Sequence, residues 1–144
     1  MKEIYYETRH ICIWYDLSQS LGSAAWYGSI PTPEFREAFL KCTEVITEKH
    51  LKNWLADNRK MEMMSQEDQA WVELMAPTVL SSGLKKMATI VSEDIFHHMA
   101  VVDLFDKVSG QLTFQNHYFR NETEALTWLE CVTPSLEKVT ETLQ

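Results

Sequence analysis

The chain has few of the residues that break or cross-link a polypeptide: 4 Gly, 4 Pro and 3 Cys in 144 residues. That scarcity excludes a collagenous, low-complexity or disordered chain. Cys12, Cys42 and Cys131 are odd in number and far apart, with no C-x-x-C spacing and no Cys/His cluster. Reduced thiols are therefore expected, with no metal site and no cofactor. Positive charge is also scarce. Lys and Arg total 13 against 21 Asp and Glu, a net charge of -8, so a phosphate backbone or an anionic membrane would be repelled and nucleic acid is excluded as a partner. No apolar run is long enough for a membrane span, and Lys2 and Glu3 stand where a signal peptide would be apolar, which points to a soluble, cytoplasmic protein. What remains is ordinary globular material, 45% hydrophobic and 24% charged, long enough for one domain over residues 1–144 with a real core.

The hydrophobic period changes along the chain. Up to Gly28 it reads as strands: Ile4–Thr8, then Ile11, Ile13 and Tyr15 alternating with His10, Cys12 and Trp14, a turn over Asp16–Ser20, and a third strand over Leu21–Tyr27. At Thr32 the period becomes helical. Pro33 suits a first turn, and Phe35, Ala38, Phe39, Cys42, Val45 and Ile46 follow on one face, as in a helix packed on a sheet. Leu51–Ala56 then predicts a short strand ending at Asp57. Ser65 and Asp68 approximate a capping box for a second helix that buries Trp71, Leu74 and Met75, is kinked or ended by Pro77, and closes near Gly83. Lys86–Val91 predicts a strand, Ser92 caps a third helix reaching Phe105, Leu112–Phe119 predicts a last strand, and Asn121 caps a fourth helix carrying Ala125, Trp128, Leu129 and Val132. Leu136, Val139 and Leu143 have the spacing of one more short helix.

Three strands followed by alternating helices and strands predict an α/β fold. Its mixed β-sheet has an N-terminal antiparallel meander and parallel βαβ units, packed with four to five helices.

Within that order, Trp26-Tyr27-Gly28 before a helix, Trp54-Leu55-Ala56-Asp57-Asn58-Arg59, Ser65-Gln66-Glu67-Asp68 with Trp71 a turn later, Lys85-Lys86-Met87-Ala88, and Glu124-Ala125-Leu126-Thr127-Trp128-Leu129 resemble the small bacterial SpoIIAA-like, or STAS-like, proteins over nearly the whole chain. The resemblance implies a single STAS-like domain. It also implies a regulatory role, because the fold is known from anti-sigma-factor antagonists that bind a kinase partner and are switched by phosphorylation of a Ser in a D-S-S-G turn. The same architecture occurs in lipid-binding CRAL-TRIO domains. Here the corresponding helix begins Ser65-Gln66-Glu67, keeping the Ser without the Asp or the Gly. Ser65 is thus the phosphorylation candidate, with a helix cap as its plain reading. Ser81-Ser82-Gly83 falls at the other end of that helix, where Gly83 suits a C-cap.

No catalytic constellation is legible, and an enzyme is not expected. His97 and His98 diverge by about 100° on a helix and so cannot share one ion. Asp57, Asn58 and Arg59 are a ligand-binding candidate because they follow a strand at its carboxyl end, although Asp57 paired with Arg59 would also make an ordinary turn. The third helix is the anomaly: from Ile95 to Phe105 only His97, His98 and Asp103 are polar. If Ile95, Met99, Val102 and Phe105 face the core, then Phe96, Ala100, Val101 and Leu104 form an interface candidate for a homodimer or a protein partner. Two functions follow: a non-catalytic regulatory or interaction module acting through this helix, or a carrier or sensor of an apolar or lipid-like small molecule. A continuous apolar cavity that holds bound lipid in protein purified without added ligand would favour the second, and a packed core with a paired apolar face the first.

Overall fold

The computed structural model describes residues 1–80 and 82–134. Strands β1 (Glu3–Glu7), β2 (Ile11–Asp16) and β3 (Leu21–Gly28) form the meander, followed by α1 (Thr32–Glu48), β4 (Asn53–Met61), α2 (Gln66–Leu80), β5 (Lys86–Ile90), α3 (Ile95–Val108), β6 (Gln115–Phe119) and α4 (Glu122–Leu129). The six strands lie side by side in sequence order. β1, β2 and β3 pair antiparallel and β3 to β6 pair parallel, so the mixed sheet is as the sequence predicts.

Alternation along the strands divides the core into two layers. Trp54 and Ala56 of β4 join Ile13, Ala24 and Trp26 under α1, with Trp71 and Val72 of α2 and Phe105 of α3 packed against the same cluster. Leu55 points the other way and packs with Leu21, Ala88 and Ile90 against Ala125, Leu126 and Leu129 of α4. Three helices therefore cover one face and α4 covers the other. Gly22 permits the closest approach in the first layer, since a Cβ there would stand 2.6 Å from both Leu51 Cδ1 and Trp54 Cζ3.

Several boundaries differ from expectation. β4 runs to Met61 rather than ending at Asp57, because its polar second half pairs with β3 as far as Gly28 opposite Met61, with one extra β4 residue between the Ala25–Asp57 and Tyr27–Lys60 pairs. Of the two effects expected of Pro77, a kink or an end, the end does not occur, since Pro77 lies inside α2, and Leu74, expected in the core, is exposed. α3 is capped by Asp94, whose carboxylate accepts from the amides of Phe96 and His97; Ser92 instead donates its hydroxyl to the Met61 carbonyl at 2.7 Å. β6 begins at Gln115, three residues later than expected. Asn121 does cap α4, accepting from the Glu124 amide at 2.9 Å, but the helix ends at Leu129 and Val132 is exposed. The helix expected around Leu136, Val139 and Leu143 lies outside the described residues.

Candidate ligand cavity

Between the helical layer and the sheet lies a cavity of about 150 Å³. β3 supplies Trp26, β4 supplies Trp54, Ala56, Asn58 and Met61, and β5 supplies Met87 and Thr89, all from the same sheet face. The extra residue in β4 is what lets Asn58 and Met61 both face it. From above come Phe35, Phe39, Cys42 and Ile46 of α1 and His97, Val101, Leu104 and Phe105 of α3. No Asp, Glu, Lys or Arg lines it. Interiors seldom keep voids larger than a water molecule.

Four buried polar side chains, Thr43, Asn58, Thr89 and His97, belong to this mostly apolar wall, and two of them have atoms without partners. Thr89 and His97 are each 1% exposed, and Thr89 Oγ1, His97 Nδ1 and His97 Nε2 have no hydrogen-bond partner among the described residues. Leaving such groups unsatisfied costs about 1 to 3 kcal/mol each, so they mark a place where polar contact is worth having. Burial holds the His97 imidazole neutral by lowering its pKa to about 4, against the opposing pull of the nearby Asp94 carboxylate. The neutral ring carries one N–H donor and one bare nitrogen acceptor. His98 turns away and meets Tyr118 edge to face at 5.6 Å.

A cleft of about 370 Å³ opens beside the cavity at the carboxyl ends of β3 and β4 and shares Phe35, Met61 and Met64 with its lining. Ser65 lies on the cleft wall and accepts from the Asp68 amide at 3.1 Å, so it caps α2. The capping box is only half formed, because the buried Asp68 carboxylate accepts from Thr32 Oγ1 at 3.3 Å and faces Arg36 Nε at 3.7 Å.

The other sequence candidates fare differently. Asp57, Asn58 and Arg59 do not form one site. They lie within β4, where Asn58 faces the cavity while Asp57 and Arg59 bond to each other and Arg59 approaches Glu122 of α4 at 3.7 Å. On α3 the expected faces hold only in part: Phe105, expected inside, lines the cavity and packs on the core, but other positions are reversed. Val101 is buried and Leu104 lines the cavity, whereas Ile95 and Met99, expected inside, are 59% and 60% exposed. Phe96 is exposed as expected, and Ala100 is half-buried. The true inward row is His97, Val101, Leu104 and Val108. That i, i+4, i+7, i+11 spacing was the available signal for His97, but it requires a histidine to point inward; no sequence signal singled out Thr89.

Among the described residues no three His, Cys, Asp or Glu side chains gather to hold a metal ion, and no helix is long and apolar enough to cross a membrane. Burial pushes the Cys42 thiol far up and the half-buried Cys12 thiol up as well, so neither is activated as a thiolate.

No protein-family model matches the sequence, and no curated protein matches it either. Among solved structures the chain is similar to an uncharacterized protein from the DUF3478 family with a SpoIIAA-like fold from Shewanella loihica PV-4. That similarity has a TM-score of 0.54 at 14% identity and covers 90% of this chain and 92% of the other. The architecture is thus SpoIIAA-like.

Proposed function

We propose that this chain, built on a SpoIIAA-like fold, is a non-catalytic regulatory module that binds a small, largely apolar molecule between its helical layer and its sheet, as a sensor or carrier. One observation carries the reading: an uncharged, mostly apolar cavity of about 150 Å³ walled in part by Thr89 and His97, whose three side-chain polar atoms are buried without partners. A comparable volume lined by aliphatic and aromatic side chains is known to accept benzene. The protonated Cys42 thiol and a neutral His97 that no carboxylate hydrogen-bonds favour binding over chemistry.

A second reading rests on the exposed end of α3, where Ile95, Phe96 and Met99 are 59%, 65% and 60% exposed. Met63, also exposed, donates its backbone amide to Asp94 beside them. Such a cluster suits a protein partner or a second copy of the chain. The two readings are compatible, since α3 both walls the cavity and presents this surface.

Native mass spectrometry of protein purified without added ligand, compared with Ala56→Leu, tests the first reading. Ala56 faces the cavity, so a larger side chain should fill it, raise the melting temperature and abolish a retained low-mass adduct. An Ala56→Leu protein that is destabilised, with no adduct on the wild type, would reject it.

A further inference from the structure

We propose that the cavity selects an electrically neutral, ring-sized ligand carrying one hydroxyl or amide group, which exchanges hydrogen bonds with the His97 imidazole and the Thr89 hydroxyl, and that it excludes carboxylates and phosphates. This deepens the reading of the cavity as a binding site and rests on it. Three features of the wall specify the chemistry. First, it has no cationic side chain, so a carboxylate or phosphate would be buried without a counter-charge, which is strongly unfavourable. Second, its unpartnered atoms are of both kinds. The neutral imidazole offers one N–H donor and one acceptor nitrogen, and the Thr89 hydroxyl can donate or accept. A group that both donates and accepts, such as a hydroxyl or a primary amide, satisfies that set better than a ketone or an ether. Third, the volume fits a six-membered ring, and a second apolar hollow of about 100 Å³ shares Phe39, Val72, Met87, Leu104 and Phe105 with it. A short alkyl substituent on the ring would extend there.

Phenol, toluene and benzoate separate these features, because toluene replaces the hydroxyl by a methyl group of similar size and benzoate adds a charge. Titrations at pH 7 would be followed by isothermal calorimetry and by the fluorescence of Trp26 and Trp54 in the cavity wall. The expected order has phenol bound about tenfold more tightly than toluene, and benzoate not bound. Thr89→Val and His97→Leu should each weaken phenol about tenfold and leave toluene within about twofold. If His97→Leu does not fold, the near-isosteric Thr89→Val decides alone. Toluene bound as tightly as phenol, or phenol affinity indifferent to Thr89→Val, overturns the assignment while the cavity stands as a binding site. Benzoate binding overturns the exclusion of anions. If neither phenol nor toluene binds, the cavity is not a ligand site and the underlying reading falls too.

Discussion

Arg59 holds the carboxylate of Asp57 by two bonds, Nε donating to Oδ1 at 2.9 Å and Nη2 to Oδ2 at 2.7 Å. Alternate residues of a strand share a face, and this pairing allows a polar stretch to continue as the middle of a sheet. It also occupies the two groups that the sequence offers most openly for ligand binding.

Because the Arg59 side chain remains 37% exposed, the pair is partly screened and should contribute modestly. Asp57→Asn is expected to cost about 1 kcal/mol or less and to leave ligand titrations of the cavity unchanged. Urea denaturation with a parallel titration checks both. A lost ligand response would return Asp57 to the site.

His97 predicts an acid-side loss of stability. Burial lowers its folded pKa from the usual 6.5 to about 4, so between those values the unfolded chain holds a proton that the folded chain does not. Stability from this group is complete above about pH 6.5 and falls as the pH is lowered towards 4, by a total on the order of 3 kcal/mol. Urea midpoints at pH 7, 6 and 5 should decline in the wild type and decline less in His97→Leu. Equal slopes in the two proteins would show that His97 is not held neutral.

Ser65→Ala removes the side-chain acceptor of the Asp68 amide in the first turn of α2. The expected cost is about 0.5 to 2 kcal/mol, read as a lower urea midpoint with an unchanged slope. A neutral substitution would mean that the cap is replaced by water at no cost, and would reopen Ser65 to a regulatory reading.

The two sides of α3 should respond in opposite ways to charge. Phe96→Glu places a charge on an exposed position and should alter stability by about 0.5 kcal/mol or less. Val101→Asp buries an unpaired carboxylate in the cavity wall and should cost more than about 3 kcal/mol. Circular dichroism separates the two. Sedimentation of Phe96→Glu beside the wild type then reports whether that face joins copies of the chain: a shift from dimer to monomer supports the interface, and identical mass rejects a homodimer there.

Periodicity alone was enough for the order of strands and helices, because each apolar row must be buried whatever it packs against. The row Phe35, Ala38, Cys42, Val45 and Ile46 is buried on α1 as its spacing requires, and the Asn121 cap is a local interaction that needs only neighbouring residues. The same rule failed on α3, where nearly every position is apolar and the pattern therefore contains no direction. Only the packing of the helical layer over the cavity turned His97 and Val101 inward and left Ile95 and Met99 outside. It also failed at Asn58, Arg59 and Lys60, whose polarity suggests a loop until pairing with β3 and the Asp57–Arg59 clasp satisfy their polar groups. The cavity is a product of tertiary structure altogether. Its wall is assembled from three strands and three helices far apart in sequence, and a void depends on how side chains fail to fill a space, which no periodic pattern along the chain encodes.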